Sequence, residues 1–564
     1  MLGELESATQ FGFLMGILAI SCELDGGVKS LLFERSKKES THPMSRRSIA
    51  PIDENNQTLW SWFPVLQHHR RLQPGQTSFC RKLSSRSARS MFGVIFFLHG
   101  ATMSTNAAAV RGATTQFQSS NGIEEHCVVL DRMPGAVYSD DDRAQENAFC
   151  GIDFNAGSHA LCPKVFSTSP GTLVYDISRG EFAGKPQDFE SSHCASSSPV
   201  KRGALGEPVS YKMTMNEKGT SGTFSTASLL YYHFSRFLDA QVHVPVSVYR
   251  STDRHAHQER VIRRGLEVSA HRKGGAMNHS GWEVMKKAAE NPASYHPVNE
   301  LLTADQKQFY GVLLHPQGDR YNAEVNGTRT SGWGKGQNLD FQETAPFLAL
   351  RSEEPLQQAI EAGIHEASKN ATLRKAMRHG VAGEQMAYWM QELTEITLLD
   401  FIFSQQDRIG NIDYLYYWYW VDDGEIRRRP ASGSKVPEDI ASHHPVRLRR
   451  TQLNDNDAGG RLAYANFTKQ TGMLEKIRHY NPGTYRRLMR LANDFEARGE
   501  LYDYVQSTFG LSDRQFRQIL NNTRLAAGIL RDACHVGELR FDLDATAYLV
   551  TGKSQEYKVD CDNP

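Results

Sequence analysis

The chain of 564 residues has no charge imbalance, since 64 Lys and Arg stand against 64 Asp and Glu. A net charge of zero points away from nucleic acid and from any strongly charged surface as the main partner. No apolar run is long enough to read as a membrane span. Neither Cys-x-x-Cys nor His-Glu-x-x-His spacing occurs, so a zinc site is not indicated. Cysteine is sparse, with eight in all. What the chain does have is 39% hydrophobic and 10% aromatic residues, enough for a large core. Its length suits two or three units by the prior of ~150 residues each, or one two-lobed enzyme with extra segments.

Residues 1 to 109 read as a leader or over-extended start. An apolar patch, Phe11 to Ile20, precedes a basic, Ser-rich stretch, Arg81 to Ser90. Then Met91-Phe92-Gly93-Val94-Ile95-Phe96-Phe97-Leu98-His99-Gly100 leads to Ala107-Ala108-Ala109. Basic residues, a short apolar core and small residues are the parts of a secretory signal over 91–109, with cleavage near Ala109. The expectation is that translation starts near Met91 and that the product is secreted or otherwise extracytoplasmic, with no stable membrane span after cleavage.

Six cysteines follow that point: Cys127, Cys150, Cys162, Cys194, Cys534 and Cys561. An even number in an exported chain is the pattern of a disulfide framework. The expectation is that the four early ones pair among themselves and Cys534 pairs with Cys561. Residues 110–200 otherwise read as a polar, loop-rich N-terminal extension, with short strands at Leu161–Phe166 and Gly171–Ile177.

The densest chemistry lies further on. An apolar helix end, Ile396 to Phe403, runs into Gln406-Asp407-Arg408, followed by Gly410 and Asn411. The aromatic run Tyr414 to Val421 reads as a strand, and Asp422-Asp423-Gly424 as a turn. A second strand, Val446 to Leu453, ends in Asn454-Asp455-Asn456-Asp457. Residues 425–445, with several prolines, read as a long loop between the two strands. This order suits phosphoryl transfer: one carboxylate positions an acceptor hydroxyl, while an Asn and a second carboxylate hold the metal on nucleotide phosphates.

The order resembles the atypical protein-kinase-like superfamily, which includes the secretory-pathway Golgi casein kinases, the HipA-like kinases and the phosphatidylinositol kinases. The resemblance runs from about Pro199 to Ala533 and lies in motifs. It implies an α+β, bilobal protein-kinase-like fold, with a β-rich N-lobe over 201–345 and a helical C-lobe over 346–564. It also implies ATP with Mg2+ or Mn2+ as cofactors, and a protein or other hydroxyl-bearing acceptor as partner. By position, Asp407 orients the acceptor hydroxyl and Arg408 braces the catalytic loop. Asn411 and Asp455 hold the metal, and Asp457, where the family has glycine, is a further candidate. Asn411 falls four residues after Asp407, one fewer than the usual kinase spacing, so Asp413 can stand in for it.

Upstream, Val209 to Met215 alternates as a strand with Lys212 in its middle. A glycine-bearing loop, a helix over Ser225 to Ala240 and a strand over Val242 to Tyr249 follow. The run Tyr231 to Pro245 resembles the helix-to-strand passage of the same superfamily. Lys212 is therefore the candidate for the nucleotide phosphates. Its usual helix partner, a Glu, is missing: the position falls near Ser228, and Glu217 is the nearest substitute. Gly203 and Gly206 are weak candidates for a phosphate-covering loop. Residues 251–345 read as an insertion between lobes, with Trp282 to Glu290 a helix, Phe309 to Leu314 a strand and Gly327 to Asn338 a surface loop. Helices over Leu356 to Ala367, Ala371 to His379, Glu384 to Phe403, Tyr485 to Ala497, Glu500 to Phe509 and Asp513 to Leu530 complete the C-terminal half.

Three functions stay open at this point. The first is an exported kinase acting on protein Ser or Thr. The second is a pseudokinase that binds nucleotide without turnover. The third is a non-catalytic extracytoplasmic binding protein whose acidic motifs are turns.

Overall fold

The computed structural model describes residues 110–195, 202–273, 275–296 and 298–563. The leader, the signal peptide at 91–109 and the proposed start near Met91 lie outside the described residues. The architecture is α+β, built on two antiparallel sheets. The larger contains β1 (Gly112–Gln118), β2 (Glu124–Leu130), β3 (His159–Pro163), β4 (Gly171–Asp176), β5 (Leu205–Met213), β6 (Ser247–Asp253) and β7 (Gln308–Leu314), in the order β1-β2-β6-β7-β5-β4-β3. The smaller contains β8 (Asp319–Arg320), β9 (Asp413–Asp422), β10 (Glu425–Pro430) and β11 (Val446–Gln452), with β9 central. The chain passes from one sheet to the other through His315 to Gly318, directly after β7.

Two helices lie between these sheets and the rest. Thr226–Leu238 is buried along nearly its whole length, with Leu229, Leu230, Phe234 and Phe237 in the core. Gly383–Phe403 is buried on every side from Gln385 onward, the signature of a central helix rather than an amphipathic surface one. The end of the second packs on the middle of the first, where the Tyr231 and Phe234 rings contact Phe403, both at 4.9 Å. Further helices include Ala276–Glu290, Leu356–Ala367, Pro482–Ala497, Glu500–Thr508 and Asp513–His535. Their starts follow local chemistry. Asn481 accepts from the Gly483 and Thr484 amides ahead of Pro482, and Ser512 forms a capping box with Gln515.

Three disulfides join Cys127 to Cys150, Cys162 to Cys194 and Cys534 to Cys561; the four early cysteines pair among themselves as expected, and the structure adds which joins which. The second closes a small apolar cluster of Leu173, Tyr175, Ile177 and Phe189, separate from the main core. No helix among the described residues is long and apolar enough to cross a membrane.

Several local expectations are corrected. Residues 110–195 are not an appended extension, because β1 to β4 are strands of the same sheet as β5, β6 and β7. The strand read at Val242–Tyr249 begins at Ser247 instead. Pro245 cannot donate to a ladder, and His243 is tied to the other sheet through Thr451 O and Leu453 N. Residues 425–445 are not all loop. Asp423 and Gly424 both take positive φ, at 50° and 79°, and make the tight two-residue turn that sends Glu425–Pro430 back along β9. β11 then pairs with the other side of β9. The stretch Gly327–Asn338 ends inside a short helix, Lys335–Phe341.

Candidate active site

The Gly383–Phe403 helix ends at Ser404, whose left-handed backbone (φ 53°) turns the chain out of the helix. The loop that follows is fastened from beneath by Arg408. Its guanidinium meets Asp400 with Nε–Oδ2 at 3.0 Å and Nη2–Oδ1 at 3.0 Å, both side chains buried. It also donates to Asn456 Oδ1 at 2.8 Å and to the Asp455 carbonyl at 3.2 Å. Tyr231 donates to the same Asp400 at 2.7 Å. One arginine thus joins the helix end, the catalytic-type loop, the Asp-Asn loop and the Thr226–Leu238 helix.

Asp407 lies above this brace and lines the cleft. Its amide donates to Gln405 Oε1 at 3.0 Å, and its Oδ1 accepts from the Trp333 indole at 2.9 Å. Asn411 folds back, its Nδ2 donating to the Asp407 carbonyl at 2.8 Å. Gly410 sits between them with φ 91°, and a Cβ there would lie 2.5 Å from the Arg329 guanidinium, so the position needs glycine. Buried Asn326 accepts from the Gly410 and Ile412 amides and holds the far side of the loop.

The segment after β11 alternates in direction. Asn454 donates to Asp413 at 2.9 Å and Asn456 to the Leu453 carbonyl at 2.6 Å, both facing inward. Asp455 and Asp457 face the cleft. There Lys212, from the C-terminal end of β5, reaches across from the larger sheet to Asp455 Oδ1 at 3.1 Å and Asp457 Oδ1 at 3.3 Å. The helix position near Ser228 supplies no acid. Glu217 does not replace it, since its carboxylate accepts from the His296 amide at 2.6 Å. The lysine's partners are the two aspartates.

Four further elements complete the wall, and sequence reasoning missed them. Lys164 and the loop Phe166–Gly171, between β3 and β4, close the cleft on the side of the larger sheet. The glycines read as a covering loop, Gly203 and Gly206, do not line this cleft. Gly203 instead packs near the Phe182 ring, and a Cβ on Gly206 would meet open space. Arg320 of β8 donates to Asp413, to the Gly410 carbonyl and to Asn411 Oδ1, and lies 3.4 Å from Asp455 Oδ2. Trp333 is 63% exposed although its N–H is fixed on Asp407. A tryptophan flanked by Gly332 and Gly334 was the one local signal available. Lys164 and Arg320 give none, because only the tertiary fold brings them here.

Charge sets the behaviour of the site. Burial alone would raise Asp455, but Lys212, Lys164 and Arg320 hold it well below the usual carboxylate range. Burial would lower Lys212, but Asp457 and Asp455 keep it above its ordinary value. Burial raises Asp407; the Trp333 hydrogen bond opposes the rise and Asp455 adds to it. A cleft carboxylate whose proton affinity is raised by burial is suited to proton transfer.

The cleft holding these residues has a volume of about 380 Å³. It shares Lys164 and Phe166 with a neighbouring recess of about 500 Å³ lined by Leu173, Ser210, Leu415 and residues 315–319. The inner part is charged, and the outer part offers apolar walls. Among the described residues no three His, Cys, Asp or Glu side chains converge as a metal cage. Besides Asp407, the carboxylates on the cleft wall are Asp455 and Asp457, a hard pair that fits a divalent ion shared with phosphate oxygens. The amide oxygen of Asn411 is held by Arg320.

No protein-family model matches the chain, and neither does any curated protein. Among solved structures the chain is similar to one described as the crystal structure of the golgi casein kinase. The two are 10% identical, the match covers 77% of this chain and 86% of that one, and the TM-score is 0.37.

Proposed function

We propose that the chain is an exported ATP-dependent phosphotransferase with a bilobal, protein-kinase-like fold, acting on a hydroxyl of a protein serine or threonine. The observation that carries the reading is the convergence of Lys212 on Asp455 and Asp457, with Asp407 on the same cleft wall. Residues from two sheets, about 245 positions apart in sequence, meet there. The adjoining recess, with apolar walls beside the passage between sheets, suits a nucleotide base. Disulfides support export.

On this reading Lys212 and Lys164 neutralise the nucleotide phosphates. Asp455 and Asp457 would hold magnesium or manganese, which supplies further charge neutralisation there. Asp407 accepts a hydrogen bond from the acceptor hydroxyl and takes its proton as the oxygen attacks. Trp333 fixes which Asp407 oxygen is occupied and leaves the other for the acceptor. Arg408 holds the loop and touches no substrate.

A second reading, a nucleotide-binding pseudokinase, is favoured by Arg320 on Asn411 and by the absence of a helix glutamate beside Lys212. Transfer of labelled γ-phosphate to a basic or acidic protein acceptor separates the two. The parent should transfer, while Asp407→Asn and Asp457→Asn should lose at least about 100-fold. Nucleotide binding without transfer in the parent would select the pseudokinase. No nucleotide binding would leave the non-catalytic binding protein.

A further inference from the structure

We propose that the cleft binds a nucleoside triphosphate without a metal ion, on Lys164, Lys212 and Arg320, with the Arg320 guanidinium standing between Asn411 and Asp455 where a divalent ion would otherwise be required. The inference rests on the nucleotide reading above and narrows it.

The first ground is occupancy. Arg320 donates to Asn411 Oδ1 and lies 3.4 Å from Asp455 Oδ2, and these are the two residues the kinase pattern assigns to the metal. It does not reach them by chance of rotamer. β8 pairs Arg320 directly with Asp413 across the ladder, and the side chain is pinned again by Asp413 and the Gly410 carbonyl. The guanidinium still keeps 45% of the side chain exposed, so its remaining surface is open to the cleft.

The second ground is Lys164. Its ammonium lies over the Phe166 ring at 5.7 Å, and among the described residues it forms no ion pair with a carboxylate. A lysine aimed into a cleft without a carboxylate partner awaits an anion. Burial, and then the Lys212 ammonium, lower its pKa. A phosphate set between the two lysines relieves both.

The third ground is the charge on the wall. Lys164, Lys212 and Arg320 face Asp407, Asp455 and Asp457, so the empty cleft is close to neutral. With Lys212 as its only cation the same wall would carry an excess of two negative charges. A triphosphate could enter such a site only with added cations. Here the protein supplies them. The guanidinium is also suited to the task, since its planar fork matches phosphate oxygens. A metal then matters for transfer and not for binding.

The test is equilibrium binding of ATP to the oxidised full chain, by calorimetry, in EDTA and in manganese. The expected dissociation constants differ by less than about threefold, whereas Arg320→Ala should bind at least about tenfold more weakly in EDTA and be rescued by manganese. Lys164→Ala, a side chain with no ion pair to lose, should also weaken binding in EDTA and serves if Arg320→Ala does not fold. Binding of the parent that needs manganese would overturn this proposal and leave the nucleotide reading intact. Equal loss in both buffers for both variants would also overturn it. No binding in either buffer would remove both.

Discussion

Arg408 and Asp400, eight residues apart, form a buried ion pair at the point where the central helix gives way to the catalytic-type loop. Neither side chain meets water, and Tyr231 and Asn456 complete their hydrogen bonding. Removing one partner leaves the other charged and buried, which costs about 3–5 kcal/mol. Arg408→Ala should therefore lower the unfolding free energy by that amount, read as a lower urea midpoint at unchanged slope. A loss under about 1 kcal/mol would mean that water reaches Asp400 once the arginine is gone.

Trp333 sets the proton affinity of Asp407. Its indole N–H favours the ionised carboxylate, against burial and against Asp455. Trp333→Phe keeps a ring beside Phe467 and removes the donor. The Asp407 pKa should rise further, so the acidic limb of the transfer-rate profile should move to higher pH. An unmoved limb with a lower plateau would assign the tryptophan to acceptor contact instead.

Glu395 makes folding stability depend on pH. Burial pushes its carboxyl up to about 7, although it accepts the Val242 amide at 2.8 Å. Unfolded, it titrates near 4.5. Between these values the native state holds a proton that the unfolded chain has lost, so this group's contribution to stability falls as pH rises through the window. Glu395→Gln keeps a neutral acceptor and should flatten that decline. Urea midpoints at pH 5 and pH 8 give the comparison, and parallel declines in parent and variant would remove Glu395 as the cause.

The bond between Cys534 and Cys561 ties the C-terminal segment to the Asp513–His535 helix, with a separation of 27 residues. Closing a loop of that length stabilises by roughly 3 kcal/mol in the chain-entropy account. The double serine variant should lose about that much, and several degrees in melting temperature, while ATP binding stays unchanged. Neither cysteine lines the cleft, so a change in nucleotide affinity would contradict the separation of stability from site.

How far the sequence carried the reading depended on where the information lay. The Leu356–Ala367 helix and the start and end of Gly383–Phe403 followed from apolar spacing, because one helix face or a whole helix is buried. Lys212 stood out as a charge in an apolar strand. The Cys534–Cys561 pair was legible in the sequence, but which of the four early cysteines join was not, since spacing leaves three pairings open. The strands β1 to β4 were legible as strands at β3 and β4, but nothing in them said which sheet they would join, since their partners lie tens of residues away. β10 was hidden by its three arginines and Pro430, which suit an edge strand as well as a loop. Arg320 and Lys164 were invisible for a simpler reason: an isolated cation carries no mark of the acids it will meet.

Lys212 belongs to the larger sheet, and Asp455 and Asp457 hang from the end of the smaller one. Their two contacts therefore act as a latch between the walls of the cleft. Any separation of the two sheets at the cleft would have to stretch both contacts at once. A ligand that competes for the lysine loosens the latch, and one that bridges lysine and carboxylates tightens it. A pair of probes on β4 and β10 would show whether filling the cleft changes the distance between the sheets.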